Sequence, residues 1–238
     1  MSSRVGVPVL TVAGVVTIAV IASACGSGAR AEVDGDPGGH KITVAGDSIS
    51  VGLGAELRDV VADDPRSADA VVKVIGVGGT GLARPDRFDW PARLRTLAAE
   101  HPPDVLVFSV GSNDAQDLTD ADGRVVARTS DRAAWDALYS RRLAEVFDAF
   151  EHTGTRVVWV GHVRTVKPAV GATNRHVQEL AAGVAESRSW VTVRDLAVLL
   201  GTGDEVATRC LLADGLHLTT DCLREADRAL LGDLVVER

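Results

Sequence analysis

Short apolar runs rich in β-branched residues recur at wide intervals along the chain. They lie at residues 42–45, 71–75, 105–110, 157–160 and 190–193. Each run is continuously hydrophobic and does not alternate with polar positions, which is typical of strands that are covered on both faces of a sheet. The pattern therefore predicts five buried strands.

Segments with a helical spacing of apolar residues separate these runs. They lie at residues 53–61, 90–100, 133–150 and 174–185, and a last one lies around residues 223–236. The alternation of strand and helix indicates the α/β class, because parallel strands are joined by helical crossovers. We expect a three-layer α/β/α, flavodoxin-like domain with a five-stranded parallel sheet and right-handed crossovers.

Glycine and polar residues cluster after the predicted strands and again near the end of the chain. The segments are Gly46-Asp47-Ser48, the glycine-rich residues 76–81, Gly111-Ser112-Asn113-Asp114 and Asp214-Gly215-Leu216-His217. Ligands bind at the carboxyl ends of the strands in a sheet of this kind. We therefore expect the functional residues among these four segments.

Together the segments contain the groups that acyl transfer through a covalent intermediate requires. Ser48 is a candidate nucleophile at a strand-to-helix junction, and Asn113 is a candidate oxyanion donor. Asp214 and His217 are three positions apart, so a single turn can place both side chains on the same side. Taken alone, Ser48 is more typical of a helix N-cap than of a nucleophile. Taken alone, an Asp-His pair with this spacing is more typical of two neighbouring residues on the protein surface. Their joint occurrence favours a catalytic site.

In these blocks and in their order the chain resembles the SGNH hydrolases, also called GDSL esterases, over about residues 42–219. The resemblance implies that Ser48 is the nucleophile and that His217 is the general base and later the general acid. It also implies that Asp214 holds the imidazole ring of His217. Four blocks in register are specific, whereas any one of them is a weak signal.

The resemblance also implies an oxyanion hole with three donors: the backbone N–H of Ser48, the side-chain amide of Asn113 and the backbone N–H of a glycine in the second block. We align Gly81 with that glycine, and Gly79 is the alternative. One departure from the family pattern is Gly76, which replaces an asparagine and so leaves the geometry of this loop open. Isoleucine in place of the leucine in the GDSL string is a conservative change.

The function that the resemblance implies is that of a carboxylic ester hydrolase. Such a serine esterase hydrolyses or transfers an acyl group from a small ester, a glycan or a lipid through an acyl-enzyme, and it uses no cofactor. Two other classes stay open, namely a catalytically inactive SGNH-fold module that binds carbohydrate and a nucleotide-binding flavodoxin-like protein. The second of these is suggested by the glycine spacing in residues 76–81. Pro85 argues against it, because the fingerprint requires a helix directly after the last glycine.

The N-terminal segment predicts an extracytoplasmic protein. Arg4 precedes a charge-free stretch that extends to Ala24, which is typical of a signal peptide over residues 1–24. The sequence that ends at Cys25 resembles the lipobox of bacterial lipoproteins, in which this cysteine is lipidated. An ordinary cleavage site, which would give a secreted protein, and an uncleaved anchoring helix are the alternatives. Residues 25–40 are glycine-rich and polar and predict a flexible linker, followed by an SGNH hydrolase domain at 41–238.

The cysteines and the net charge limit the classes of partner that we expect for this protein. Outside the cytoplasm disulfides persist, and with Cys25 set aside we expect Cys210 and Cys222 to be bonded; two buried free thiols are the alternative. The formal net charge of −8 over 238 residues, without a basic cluster, argues against a nucleic-acid partner. The histidines lack ligand spacing, so no metal site is expected. Partners are thus an ester substrate and, only through an N-terminal lipid or anchor, a membrane.

Overall fold

A computed structural model describes residues 30–33, 39–67, 69–203 and 205–235. The predicted signal peptide and Cys25 lie outside the described residues. The strands are β1 (Arg30–Val33), β2 (His40–Gly46), β3 (Ala70–Val77), β4 (Val105–Ser109), β5 (Leu118–Thr119), β6 (Val125–Ala127), β7 (Arg156–Gly161) and β8 (Val191–Asp195). The helices are α1 (Ser48–Asp63), α2 (Trp90–Glu100), α3 (Arg132–Asp148), α4 (Pro168–Ala185), α5 (Leu196–Leu199) and α6 (Thr220–Leu234). A 3₁₀ turn covers Thr208–Cys210.

The main sheet has the strand order β1-β3-β2-β4-β7-β8. The five strands from β3 to β8 in this order pair in parallel, which confirms the predicted parallel sheet. Strand β1 adds a sixth, antiparallel member at the edge of the sheet beside β3. It lies inside the segment 25–40, for which the sequence predicts a flexible linker, and its four residues pair with β3.

Helices cover both faces of the sheet. On one face α1 packs beside α6, and the apolar side chains between them and the sheet include Leu53, Leu57 and Leu230. On the other face α2, α3 and α4 cover a cluster that contains most of the aromatic residues, among them Trp90 and Trp159. These side chains are removed from water almost completely, and burial of such surface is the main favourable term in folding. The three-layer prediction is confirmed.

The chain reverses its direction of travel across the sheet at β2. Strand β3 lies on one side of β2, and the following strand β4 lies on the other. A cleft opens at such a point above the carboxyl ends of the strands. Gly46 ends β2 there with φ +138°, and a Cβ atom at this position would lie 1.9 Å from the carbonyl oxygen of Ser109. The glycine thus permits the close approach of β2 and β4 directly before Ser48.

Two short features within the predicted loops were not foreseen. Strands β5 and β6 form a small antiparallel hairpin between β4 and α3. Helix α5 has only four residues and follows β8. Within the described ranges, no helix combines the length and the apolar character needed to cross a membrane.

Candidate active site

Ser48 is the first residue of α1, directly after β2. The N-cap of this helix is Asp47, whose Oδ1 accepts a hydrogen bond from the backbone N–H of Ile49 at 2.9 Å. Ser48 is therefore not the cap, and its hydroxyl is available for another partner. The backbone N–H groups of a first helical turn have no partner within the helix, so the N–H of Ser48 is a suitable donor for an anion.

The side chains of Ser48, His217 and Asp214 form a continuous hydrogen-bonded chain. The Nε2 atom of His217 lies 2.8 Å from the Oγ of Ser48, and its Nδ1 lies 2.5 Å from the Oδ2 of Asp214. The structure thus brings together three residues that the sequence analysis selected from positions up to 169 apart in the chain. About 37% of the His217 side chain and 47% of the Asp214 side chain are exposed, so the arrangement opens to solvent.

The other oxygen of Asp214 fixes the turn that carries His217. Its Oδ1 accepts the backbone N–H groups of Leu216 at 2.9 Å and of His217 at 3.0 Å. The hydrogen bond from His217, together with these two backbone bonds, lowers the pKa of Asp214 below its ordinary value. The carboxylate therefore stays ionised in neutral solution, as a group that orients an imidazole must.

A disulfide bond between Cys210 and Cys222 closes the segment that contains Asp214 and His217. This confirms the predicted pairing, with the two Cα atoms 5.5 Å apart. Inside the closed segment the backbone N–H of Leu212 donates to the carbonyl of His217 at 2.8 Å, and that of Thr219 donates to the carbonyl of Cys210 at 2.7 Å. The segment is therefore held as a narrow double-stranded loop, and its tip carries the Asp-His pair.

Asn113 lies across the cleft from this loop. Its Nδ2 donates to the carbonyl oxygen of Thr80 at 2.9 Å and to the Oδ2 of Asp47 at 3.3 Å. The amide thus connects the third block to the second block and to the residue before Ser48. Both amide hydrogens have acceptors inside the protein, and the contact to Asp47 is the longer of the two.

The glycine-rich segment after β3 is a loop, since the next helix begins only at Trp90. The nucleotide fingerprint therefore lacks its helix. A Cβ atom at Gly81 would lie 2.2 Å from Asp114 Oδ1, whereas one at Gly79 would meet no atom within 4 Å. Gly81 is consequently required by close packing, and Gly79 is required by its φ of +74°. A Cβ atom at Gly76 would lie 2.1 Å from a methyl group of Val51, so there is no space for the family's asparagine.

Asp114 holds the backbone that directly follows the second block. This role was not predicted from the sequence. Its buried carboxyl accepts the backbone N–H groups of Leu82 and Ala83 at 3.2 and 2.8 Å and the hydroxyl of Tyr139 at 2.7 Å. Burial raises the pKa of Asp114, against the effect of these hydrogen bonds. The carbonyl groups of Leu82 and Ala83 accept from the buried guanidinium of Arg142.

His162 was also missed, because nothing in its sequence surroundings distinguishes it. It follows β7 and is buried below the third block, where its Nδ1 lies 2.7 Å from Ser112 Oγ and its Nε2 lies 2.9 Å from Ser109 Oγ. Burial lowers its pKa to about 3, so the ring is neutral. With two hydroxyl partners and no access to the cleft, it is suited to hold the segment that precedes Asn113.

The loop after β7 carries three polar residues, Arg164, Lys167 and Asn174. Exposed loop residues of this kind can contact a polar substrate but are more often only solvated. Two of the three are buried, so the expectation of exposed side chains is wrong for Arg164 and Asn174. Arg164 donates to Asp195 and to the carbonyl of His162, both at 3.3 Å, and Asn174 donates to the carbonyl of Val163 at 2.9 Å. Both side chains therefore stabilise the loop.

Three or more histidine, cysteine, aspartate or glutamate side chains do not gather into a possible metal site anywhere in the residues that the structure describes.

Comparison with known proteins supports the fold and places the chain in a family. A search of curated proteins finds no match. Solved structures do match: an α/β hydrolase, LAE5, from the metagenome of Lake Arreo in Spain has a TM-score of 0.61 and 16% identity, with 82% of this chain and 95% of that chain covered. The acetylxylan esterase Axe2 from Geobacillus stearothermophilus has a TM-score of 0.59 and 14% identity, with 84% and 95% covered.

Catalytic mutants of Axe2 are among the matching structures. In these mutants a serine, an aspartate or a histidine is replaced by alanine, and the aspartate and the histidine are three positions apart in that chain. Asp214 and His217 have the same spacing here. The profile of a family described as "Protein of unknown function (DUF459)" matches residues 41–224. The chain therefore belongs to the DUF459 family, and its fold is that of the SGNH hydrolases that its sequence blocks resemble.

Proposed function

We propose that this protein is a serine esterase that works through a covalent acyl-enzyme. The observation that carries the proposal is the hydrogen-bonded chain from Ser48 through His217 to Asp214, with contacts of 2.8 and 2.5 Å. A serine hydroxyl becomes an effective nucleophile when a base within hydrogen-bond distance accepts its proton and a third group orients that base. The contacts of His217 with Ser48 and with Asp214 support both conditions.

In the proposed reaction the Oγ of Ser48 attacks the carbonyl carbon of an ester while the Nε2 of His217 accepts its proton. The tetrahedral intermediate collapses when His217 returns this proton to the leaving alcohol. Water, or the hydroxyl of a second substrate, then attacks the acyl-enzyme with the same histidine as base. Asp214 stabilises the imidazolium that forms in each step.

The developing oxyanion is stabilised by three proposed donors: the backbone N–H of Ser48, the backbone N–H of Gly81 and the amide of Asn113. Since both hydrogens of this amide have internal acceptors, we propose that the 3.3 Å contact with Asp47 is given up or shared in the transition state. The stronger bond to Thr80 is kept, and it holds the amide in place. Donors that are fixed before the reaction need no reorganisation when charge develops.

The location that we propose is extracytoplasmic, as a lipoprotein anchored through Cys25 or as a secreted protein. The charge-free N-terminal stretch and the disulfide bond support it, because disulfides persist in oxidising compartments. The substrate class that we propose is an ester of small-molecule, lipid or glycan origin.

Hydrolysis of p-nitrophenyl acetate by purified protein tests the proposal. We expect Ser48→Ala and His217→Gln each to lower kcat by about 10³-fold or more. A matched control exists, since His176 and Asp136 form a second His-Asp pair at 2.7 Å between α3 and α4. His176→Gln should keep wild-type turnover. Equal activity of His217→Gln and His176→Gln would overturn the proposal.

A further inference from the structure

Apolar side chains surround the loop that carries the Asp-His pair. Six large hydrophobic residues are exposed in the described part of the chain, and three of them lie in this loop or in the segments that neighbour it. They are Val166, Val206 and Leu212, with exposed fractions of 55, 40 and 49%. We call these three residues the apolar rim. Single exposed apolar residues are ordinary, but a group of them beside a reactive site indicates a binding surface.

The rim is continuous with the catalytic turn. The backbone N–H of Gly215 donates to the carbonyl of Leu212 at 2.9 Å, and a Cβ atom at Gly215 would lie 2.1 Å from a methyl group of Val166. Val166 therefore packs on the residue between Asp214 and Leu216. Val206 pairs with Arg164, two residues before Val166, in an isolated β-bridge. Val166 and Leu212 are thus held beside the Asp-His turn, and Val206 lies next to the segment that leads to Val166.

The chemistry of acyl transfer decides which part of an ester lies near this turn. The general acid must reach the oxygen of the leaving alcohol, at about 2.6–3.2 Å. Since His217 is the proposed acid, the alcohol portion leaves on the side of the loop that the rim surrounds. The oxyanion lies on the side of Asn113, and the acyl portion takes the remaining direction.

The glycine-rich loop also comes close to Ser48 and offers little apolar surface there. Gly78 and Gly79 carry no side chains, and a Cβ atom at Gly78 would approach the Cβ of Ser48 to 3.9 Å. A Cβ atom at Gly79 would meet nothing within 4 Å. An acyl chain that extends over these two glycines therefore meets no side chain from either of them.

We propose that the apolar rim binds the alcohol portion of the substrate, so that the enzyme acts on esters of apolar alcohols in preference to esters of sugars. This inference rests on the proposed function and names its substrate class. It predicts that selectivity resides in the leaving group. Removal of apolar surface from water is favourable, so each methylene that reaches the rim should increase kcat/KM.

Two series of esters test the inference, with the released acid measured by titration at constant pH. In the first series the acyl group is acetyl and the alcohol is methanol, butanol or hexanol. In the second the alcohol is methanol and the acyl group is lengthened by the same number of carbons. We expect kcat/KM to rise about tenfold or more from methyl to hexyl acetate and to change much less in the second series. Xylose tetraacetate should be a poorer substrate than hexyl acetate.

The double variant Val166→Ser/Leu212→Ser should lose most of the preference for hexyl acetate, measured as the ratio of its kcat/KM values for hexyl and methyl acetate. Val125→Ser is the matched control, because Val125 is 47% exposed and lies in β6 rather than beside the catalytic turn. An unchanged hexyl-to-methyl ratio in the double variant, or a steeper response to the acyl series, overturns the inference. Inactivity of the wild type on every ester would instead contradict the proposed function.

Discussion

At the scale of single residues, the amide of Asn113 is the group whose role is most specific. It lies between the second block and Asp47, with one firm bond to Thr80 and one longer contact. If it stabilises the oxyanion, Asn113→Ala should lower kcat by about 10²- to 10³-fold with little change in KM, because the interaction forms only in the transition state. Steady-state kinetics with p-nitrophenyl acetate measure both constants.

The only other asparagine of the chain, Asn174, provides the control. It is buried, and its amide donates to the carbonyl of Val163 and not toward Ser48. Asn174→Ala should lower the melting temperature and leave kcat within a few-fold of wild type. If the two variants lose kcat equally, the effect of Asn113 is structural and the assignment of an oxyanion donor is wrong.

The candidate catalytic residues were easier to select from the sequence than the residues that hold them in position. Ser48, Asp214, His217 and Asn113 each belong to a block with a recognisable pattern. The supporting role of His162 depends on the hydroxyl of Ser112, which comes from another strand end 50 residues away. Contacts of this kind are set by tertiary packing, and they leave no local signal in the chain.

At the scale of elements, the disulfide-closed loop between Cys210 and Cys222 is the part that holds the proposed base. Closing a loop of about this length stabilises the folded state by about 3 kcal/mol in the chain-entropy model. The double variant Cys210→Ala/Cys222→Ala should therefore be less stable. It should also lose about 10- to 100-fold in kcat at temperatures where it remains folded, because the turn with Asp214 and His217 is less fixed.

Tryptophan fluorescence and circular dichroism establish whether the variant is folded, and turnover is measured in the same samples. Full turnover in a folded, disulfide-free protein would show that the hydrogen bonds of the loop suffice to position His217. If turnover fell only to the extent that the protein unfolded, this result would also contradict a role of the disulfide in positioning His217.

The long elements were predictable, whereas the short ones were not. Strands such as β4 and helices such as α2 carry enough apolar periodicity to be recognised, and α2 has the predicted bounds. Strand β1 has the sequence RAEV within a glycine-rich segment, and its pairing is provided by the edge of β3. The hairpin of β5 and β6 involves two and three residues and likewise depends on its surroundings.

At the scale of the whole molecule, buried carboxyl groups make the stability depend on pH. Asp227 lies in α6 against α1, and its Oδ2 has no hydrogen-bond partner in the described part of the chain. Burial, and then the neighbouring Glu56, raise its pKa from 3.8 to about 8. Between these two values the folded protein retains a proton that the unfolded chain releases, so the free energy of unfolding falls as pH rises.

We therefore expect Asp227→Leu to be more stable than wild type at pH 8, by about 1–3 kcal/mol, with a difference that shrinks toward pH 4. Urea unfolding of both proteins at several pH values measures this difference in the free energy of unfolding. The free energy of unfolding of the variant should still fall as pH rises, because burial raises the pKa of Asp47 to about 8 and also raises the pKa of Asp114. A variant that is destabilised equally at every pH would show that Asp227 is ionised and satisfied in the folded protein.

The proposed reaction requires that Ser48 is activated by His217 and forms a covalent bond to its substrate. A fluorophosphonate ester reacts with a serine only when its hydroxyl is activated in this way, and mass spectrometry locates the adduct. We expect one adduct per chain, on the peptide that contains Ser48, with none in Ser48→Ala and strongly slowed labelling in His217→Gln. No adduct on the wild-type protein, or an adduct that persists in Ser48→Ala, would contradict it.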